Sequence, residues 1–182
     1  MLRSVLLYTA LVIGANTAFS GEVDWQAAHD AGLAKLVPSE NAPAISQTEF
    51  TDPDGGTHML SDWQGKVALV NFWATWCAPC REEMPSLDAL QSELGGDDFQ
   101  VVTIATGRNA PAKIDEFFEE TGVKNLPVLL DPKQQLARSM GVVGLPVSVL
   151  IDRDGNEVAR LLGDADWSSD AAKQVIRQLT AD

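Results

Sequence analysis

The chain has 182 residues, of which 45% are hydrophobic, enough for one domain of ordinary size with a buried core. Its formal net charge of −13 argues against binding to nucleic acid or to anionic membrane surfaces, because both need clustered lysine and arginine. The acidic residues are spread along the chain, which favours solubility as their role.

The first twenty residues are typical of an export signal. Arg3 is the only charged residue among them, and an apolar stretch, 4–13, follows it. Small residues at 18–20 predict cleavage after Ser20. The apolar stretch is short for a bilayer span of about 20 residues, and an uncleaved N-terminal anchor is the alternative. No cysteine lies near the cleavage site, which excludes a lipoprotein anchor. We therefore expect a periplasmic protein, tethered to the inner membrane if the signal stays uncleaved.

The next part of the chain predicts a helix, a linker and a hairpin. Residues 23–36 have apolar side chains at helical spacing, which indicates a short amphipathic helix. A linker with two prolines, 37–43, follows it. Strands at 44–51 and 57–60 are separated by the turn sequence Asp-Pro-Asp-Gly-Gly. We therefore predict a signal peptide or anchor, an N-terminal helix with its linker, and a main domain, at 1–20, 21–43 and 44–182.

From residue 66 onward, strands and helices alternate. The predicted strands are 66–73, 99–105, 128–130, 147–152 and 157–162, and the predicted helices are 78–94, 111–121, 134–140 and 167–179. The last two strands are joined by a turn with Asp-Gly at its centre, which is typical of a hairpin. Parallel strands joined by helices, followed by a hairpin and a last helix, predict an α/β sandwich with a mixed sheet.

Both cysteines of the chain lie in one tetrapeptide, Cys77-Ala78-Pro79-Cys80. The tetrapeptide begins the helix that follows the apolar strand 66–73, where unsatisfied N–H groups and the helix dipole favour a thiolate. A disulfide between residues three apart closes a very small loop and contributes little as a structural staple. We therefore predict a redox couple in which Cys77 attacks and the deeper Cys80 resolves the mixed disulfide.

Metal binding is the competing use of a Cys-X-X-Cys pair. A structural zinc site needs four ligands, and the only histidines that could complete one are His29 and His58. Neither has a second ligand at suitable spacing, so we predict no metal and no cofactor. We expect Trp73 and Trp76 to pack around the cysteines and to limit the access of water to Cys80.

The segment from Trp73 to Pro85, Trp-Ala-Thr-Trp-Cys-Ala-Pro-Cys-Arg-Glu-Glu-Met-Pro, resembles the active-site segment of the TlpA/ResA-like thioredoxins. These are exported thiol–disulfide oxidoreductases of bacteria. Gly65-Lys66 and the segment 141–146, Gly-Val-Val-Gly-Leu-Pro, also fit this family. The resemblance covers about 42–179 and implies a thioredoxin-like three-layer sandwich with a mixed central sheet. The N-terminal helix and hairpin are then an extension of that fold.

The resemblance also implies a set of substrate-binding residues. Pro146 matches the family's cis-proline, which faces the active-site disulfide. A cis bond there exposes the backbone of Leu145 for pairing with an extended client segment, whereas a trans-proline would merely begin a strand. Trp76 and Pro79 complete the predicted substrate-binding set. Pro79 also fits the first helical turn, where a proline loses no hydrogen bond.

Glu83 matches an acidic residue that the exported subfamily carries three positions after the second cysteine. On a helix it shares a face with Cys80, so it is a candidate for proton transfer to that thiol. Complementing the helix dipole from the first turn is the alternative role. Asn71 departs from the cytoplasmic thioredoxins, which have a buried aspartate there, and an amide carries no proton. Val147 lacks the acidic residue typical of the apocytochrome-directed branch, which weakens assignment to that branch.

The resemblance implies a thiol:disulfide oxidoreductase that works as a dithiol reductase of specific client disulfides. The implied clients are apocytochrome c, in cytochrome c maturation, or copper-site proteins of cytochrome oxidase assembly. A membrane thiol–disulfide donor would reduce the cysteine pair again. The motif does not fix the direction, because reductants and oxidants differ in potential rather than in pattern. A disulfide-forming oxidase, a copper-binding assembly protein and a peroxidase on the same fold are the alternatives.

Overall fold

The computed structural model of this chain describes residues 23–181. The predicted export signal, residues 1–20, lies outside the described residues. Among the helices within 23–181, none has the length and apolar character needed to cross a membrane.

One mixed sheet of eight strands runs through the described residues. Its strands are β1 (Leu36–Pro38), β2 (Phe50–Thr51), β3 (Thr57–His58), β4 (Val67–Trp73), β5 (Phe99–Thr106), β6 (Leu129–Asp131), β7 (Val147–Ile151) and β8 (Glu157–Leu162). Their order across the sheet is β1-β8-β7-β4-β5-β6-β2-β3. Strands β4, β5 and β6 are parallel, and every other pairing is antiparallel.

Helices cover both faces of this sheet. They are α1 (Trp25–Ala28), α2 (Ala78–Leu94), α3 (Pro111–Thr121), α4 (Gln135–Ser139) and α5 (Asp170–Thr180). Successive side chains of a strand point to opposite faces, so β4 contributes to two hydrophobic clusters. Leu69 and Trp73 belong to the cluster that includes α2, α3 and α5, whereas Val70 and Phe72 belong to the cluster that includes α4. This arrangement confirms the predicted three-layer sandwich.

The register of β4 explains where the cysteine pair lies. All seven residues of β4 are buried, because β5 and β7 pair with its two edges and helices cover its faces. Phe72 near the end of β4 lies opposite Val147 at the start of β7. The segment that leaves β4, 74–80, and the segment that enters β7, 145–146, therefore meet at the same edge of the sheet.

The N-terminal segment differs from its prediction. The α-helical part covers only Trp25–Ala28 and continues as a wider helical turn, His29–Leu33, in which Gly32 has a φ of 115°. Part of the predicted linker is instead β1, an edge strand whose Leu36 is fully buried opposite Leu161. The predicted hairpin is present with shorter strands, and β2 also pairs with β6. The sheet therefore includes part of the predicted linker, as β1, and the predicted hairpin, as β2 and β3.

Candidate active site

Cys77 and Cys80 form a disulfide at the beginning of α2. Cys77 is the residue before the first helical residue, and its Sγ accepts a hydrogen bond from the backbone N–H of Cys80 at 3.3 Å. Cys77 is 6% exposed and Cys80 is fully buried. An incoming sulfur therefore reaches Cys77 first, as expected for an attacking residue. The deeper position of Cys80 suits a resolving residue.

The two tryptophans near the cysteines have opposite environments. Trp73 is fully buried and packs against Phe117 and Phe118, with ring centroids 4.6 and 5.6 Å away. Trp76 is 66% exposed. The expectation that both tryptophans pack around the cysteines is therefore wrong for Trp76, because most of its surface is open to solvent. An exposed indole next to a reactive sulfur is instead available to contact another protein.

The bond between Leu145 and Pro146 is cis, as the resemblance implies. Pro146 is buried, and its carbonyl oxygen accepts a hydrogen bond from the N–H of Gly163 at 2.9 Å. Leu145 packs against the hydrophobic cluster that contains Cys77 and Cys80. The structure therefore brings the two predicted segments, the cysteine pair and the proline loop, to one place.

A groove of about 250 Å³ is bordered by Trp76, which precedes Cys77 in the chain, and by Leu145, which precedes Pro146. It is lined by residues of the active-site segment, the end of β5, α4 and the proline loop: Trp76, Thr106, Gln134, Ala137, Arg138, Val142, Val143, Gly144 and Leu145. Val143 is 97% exposed, so apolar surface at this groove is open to solvent together with Trp76. Sequence reasoning predicted the contributions of Trp76 and Leu145 but not those of β5 and α4.

Glu83 lies inside the protein and is only 2% exposed. Its Oε1 accepts a hydrogen bond from Asn71 Nδ2 at 2.8 Å. Its Oε2 accepts from Trp167 Nε1 and from the backbone N–H of Ala165, both at 3.3 Å. Burial raises the pKa of Glu83 to about 7, because the charged form loses its hydration, although the three hydrogen bonds act in the opposite direction.

This environment bears on the dipole role considered for Glu83. The first turn of α2 contains no acidic residue, and Glu83 lies in the second turn with its carboxyl group inside the protein. The helix dipole acts mainly within the first turn. The prediction that Glu83 complements the dipole from the first turn is therefore wrong, because Glu83 lies one turn further along the helix. A carboxyl group with a pKa near neutrality both accepts and donates a proton at pH 7.

Asn71 makes a contact that the sequence did not predict. Besides holding Glu83, its Nδ2 donates to Ser148 Oγ at 3.0 Å, which links β4 to β7 at a directly opposed pair. Its Oδ1 has no hydrogen-bond partner in the described part of the chain. Asn71 and Ser148 are polar residues in otherwise largely apolar strands, and that was the available signal. Trp167 had no such signal, because it lies 84 positions from Glu83.

The two histidines considered as zinc ligands contact other groups. His29 Nε2 contacts the carbonyl oxygen of Leu36, and His58 Nε2 lies 3.0 Å from Asp52 Oδ2. Within residues 23–181, no cluster of three or more His, Cys, Asp or Glu side chains is arranged to hold a metal ion.

Residues 38–176 match the model of the Redoxin family. The chain belongs to the Redoxin family. It is 34% identical over 114 residues to the thiol-disulfide oxidoreductase ResA of Bacillus anthracis, a match that covers 63% of this chain and 65% of that protein. It is 29% identical over 164 residues to the thiol:disulfide interchange protein HelX of Rhodobacter capsulatus, covering 87% of this chain and 86% of that protein.

Solved structures of this Redoxin chain's relatives show the same fold. The crystal structure of a thiol:disulfide interchange protein DsbE from Chlorobium tepidum aligns with a TM-score of 0.68 and 29% identity, covering 78% of this chain and 98% of that one. The exposed lipoprotein thioredoxin Etrx1 of Streptococcus pneumoniae aligns with a TM-score of 0.62 and 33% identity, covering 74% and 100%. The resemblance to the TlpA/ResA-like thioredoxins, and the thioredoxin-like fold that it implies, are confirmed.

Proposed function

We propose that this chain is an exported thiol–disulfide oxidoreductase that works as a dithiol reductase of specific client disulfides. The observation that carries the proposal is the Cys77–Cys80 pair at the beginning of α2, in which Cys77 is 6% exposed and Cys80 is fully buried. The names of the relatives, ResA and HelX, support thiol–disulfide exchange as the chemistry.

The reaction needs two exchange steps. The thiolate of reduced Cys77 attacks one sulfur of a client disulfide, which breaks the client S–S bond and forms a mixed disulfide with Cys77. The released client sulfur leaves as a thiolate and takes up a proton. Cys80 then loses its proton and attacks the Cys77 sulfur, which releases the second client sulfur as a thiolate that takes up a proton in turn. The client gains two electrons and two protons, and the chain is left with the Cys77–Cys80 disulfide.

Glu83 is the proposed proton acceptor for Cys80 in the second step. It follows Cys80 by three positions on α2, a spacing that places two side chains on the same helical face. A pKa of about 7 keeps part of Glu83 ionised at neutral pH, so it takes up the thiol proton and returns it when the disulfide is reduced again. Asn71 positions the carboxyl group by its hydrogen bond of 2.8 Å.

The client segment is proposed to bind between the active-site segment and the proline loop. Trp76 and Leu145 line the same groove. Pro79 lies between the two cysteines in the chain, and Pro146 directly follows Leu145. The clients that the family resemblance implies are apocytochrome c or copper-site proteins, in the periplasm, with a membrane thiol–disulfide protein as electron donor. Val147 still argues against the apocytochrome-directed branch.

Trapping of the mixed disulfide tests the function and identifies the client. The Cys80→Ala variant keeps the attacking sulfur but lacks the resolving one, so it should accumulate client proteins bound through Cys77. Non-reducing gels and mass spectrometry of the captured proteins provide the measurement. Cys77→Ala is the matched control and should capture none. Capture by Cys77→Ala and not by Cys80→Ala would contradict the assigned roles.

The reduction potential separates a reductase from a disulfide-forming oxidase. Equilibration with glutathione or with a dithiol buffer measures it directly. We expect a value in the range of reductases, near or below about −230 mV. A value near about −120 mV, typical of a strong oxidant, would contradict the reductase direction while leaving the exchange chemistry in place.

A further inference from the structure

The groove beside Trp76 has a charge opposite to that of the chain as a whole. The protein has 26 acidic and 13 basic residues, yet none of the residues that line the groove is acidic. One of them, Arg138 on α4, is basic and exposed. Its guanidinium donates to the carbonyl oxygen of Lys133 and, at 3.4 Å, to Gln134 Oε1. It forms no ion pair with any carboxylate in the described residues.

Arg138 is one of a minority of basic residues that form no ion pair in the described part of the chain, and among these it is the one that lines the groove. Most lysine and arginine residues within 23–181 pair with a carboxylate, and those that do not are Lys66, Arg108, Lys124, Lys133 and Arg138. Arg138 lines the groove and Lys133 contacts Arg138 through its carbonyl oxygen. Arg108 precedes Asn109, whose Oδ1 accepts a hydrogen bond from the N–H of Thr75 at 2.8 Å, next to Trp76.

We propose that this groove selects client segments that carry an aspartate or glutamate close to the reactive cysteine. The inference rests on the proposed reductase function and adds a preference for the charge of the client. A guanidinium with free N–H groups binds a carboxylate through two parallel hydrogen bonds, which gives Arg138 both charge and geometry for this role. The groove is small, so the acidic residue has to lie within a few positions of the cysteine, since an extended chain advances about 3.3 Å per residue.

The net charge of the protein opposes this preference only at long range. Charges separated by more than about 8 Å are largely screened at physiological ionic strength, so a docked segment responds mainly to the groove itself. An exposed pair of opposite charges contributes a modest free energy, which corresponds to an effect of up to about fivefold on binding. The preference should therefore appear in kcat/KM at physiological ionic strength, and it should weaken as salt is added beyond that.

A matched pair of disulfide peptides tests the inference. The two peptides differ only by glutamate or glutamine two positions before a cysteine, and each is reduced by the purified, reduced protein. Every rate is divided by the rate of the same peptide with a small-molecule dithiol, which removes the effect of glutamate on the disulfide itself. We expect kcat/KM for the glutamate peptide to be higher by up to about fivefold at physiological ionic strength, where the net charge of the protein is screened. Arg138→Gln should abolish this difference.

Lys124→Gln is the matched control, because it removes the same charge from another exposed basic residue without an ion pair. The N–H of Lys124 is held by Asp88 at 2.9 Å, and Asp88 lies about 16 Å along α2 from Cys77. This variant should keep the preference. Equal rates with the two peptides, or a preference that survives in Arg138→Gln, would overturn the inference and leave the reductase function intact. Failure of the wild-type protein to reduce either peptide would overturn the reductase function itself.

Discussion

Replacing Glu83 by glutamine should change how the stability of the protein depends on pH. Burial raises the pKa of Glu83 from 4.5 to about 7, so the folded protein holds this proton more tightly than the unfolded chain does. The stabilisation from this proton is complete below pH 4.5 and is lost as the pH rises through 7. The difference between the two pKa values corresponds to about 3 kcal/mol. Glu83→Gln cannot ionise and should lack this loss.

Urea denaturation of the oxidised protein at several pH values between 5 and 8 provides the measurement. The disulfide keeps both cysteines from titrating. The free energy of unfolding of the wild type, relative to Glu83→Gln, should fall by up to about 1.4 kcal/mol per pH unit below pH 7. Glu82→Gln is the control, because Glu82 is exposed on the same helix, and its difference from the wild type should stay nearly flat. A flat difference for Glu83→Gln as well would refute the assignment of a buried, neutral carboxyl group.

Two further substitutions test two different roles: positioning of the Glu83 carboxyl group by Asn71, and contact with the client by Trp76. Asn71→Ala removes a hydrogen-bond donor that lowers the pKa of Glu83, and it also removes the donor to Ser148. We expect the free energy of unfolding to fall by about 1–3 kcal/mol and the pKa of Glu83 to rise. Urea denaturation measures the first effect, and NMR titration of the labelled carboxyl group measures the second. An unchanged titration would argue against this positioning. Trp76→Ala removes a ring that is 66% exposed, so the melting temperature should change little while KM for a protein disulfide rises. A large loss of stability with an unchanged KM would show a packing role instead.

The pattern of residues along the chain was sufficient to predict the central architecture. Apolar runs, turn residues and helical spacing depend on neighbours a few positions apart, and these local preferences predicted β4, α2 and the hairpin of β7 and β8 at nearly their observed bounds. The N-terminal segment was less predictable. Leu36–Pro38 has the composition of a helix end and a linker, and it becomes a strand because β8 offers an unpaired edge there. That edge is created by residues more than a hundred positions away.

The same distinction applies to the candidate site. The two cysteines, their spacing and their position at the beginning of a helix are visible in one short stretch of sequence, because a helical turn alone brings residues three apart together. The state of Glu83 is not visible there. Its pKa depends on the removal of water by surrounding residues and on donors from β4 and from Trp167, 84 positions later. The groove beside Trp76 likewise combines residues of α4, β5 and the proline loop with Trp76, and Arg138 is its one basic residue among the described residues. Burial and charge at a site are set by every chain segment packed around it, so only the folded structure reveals them.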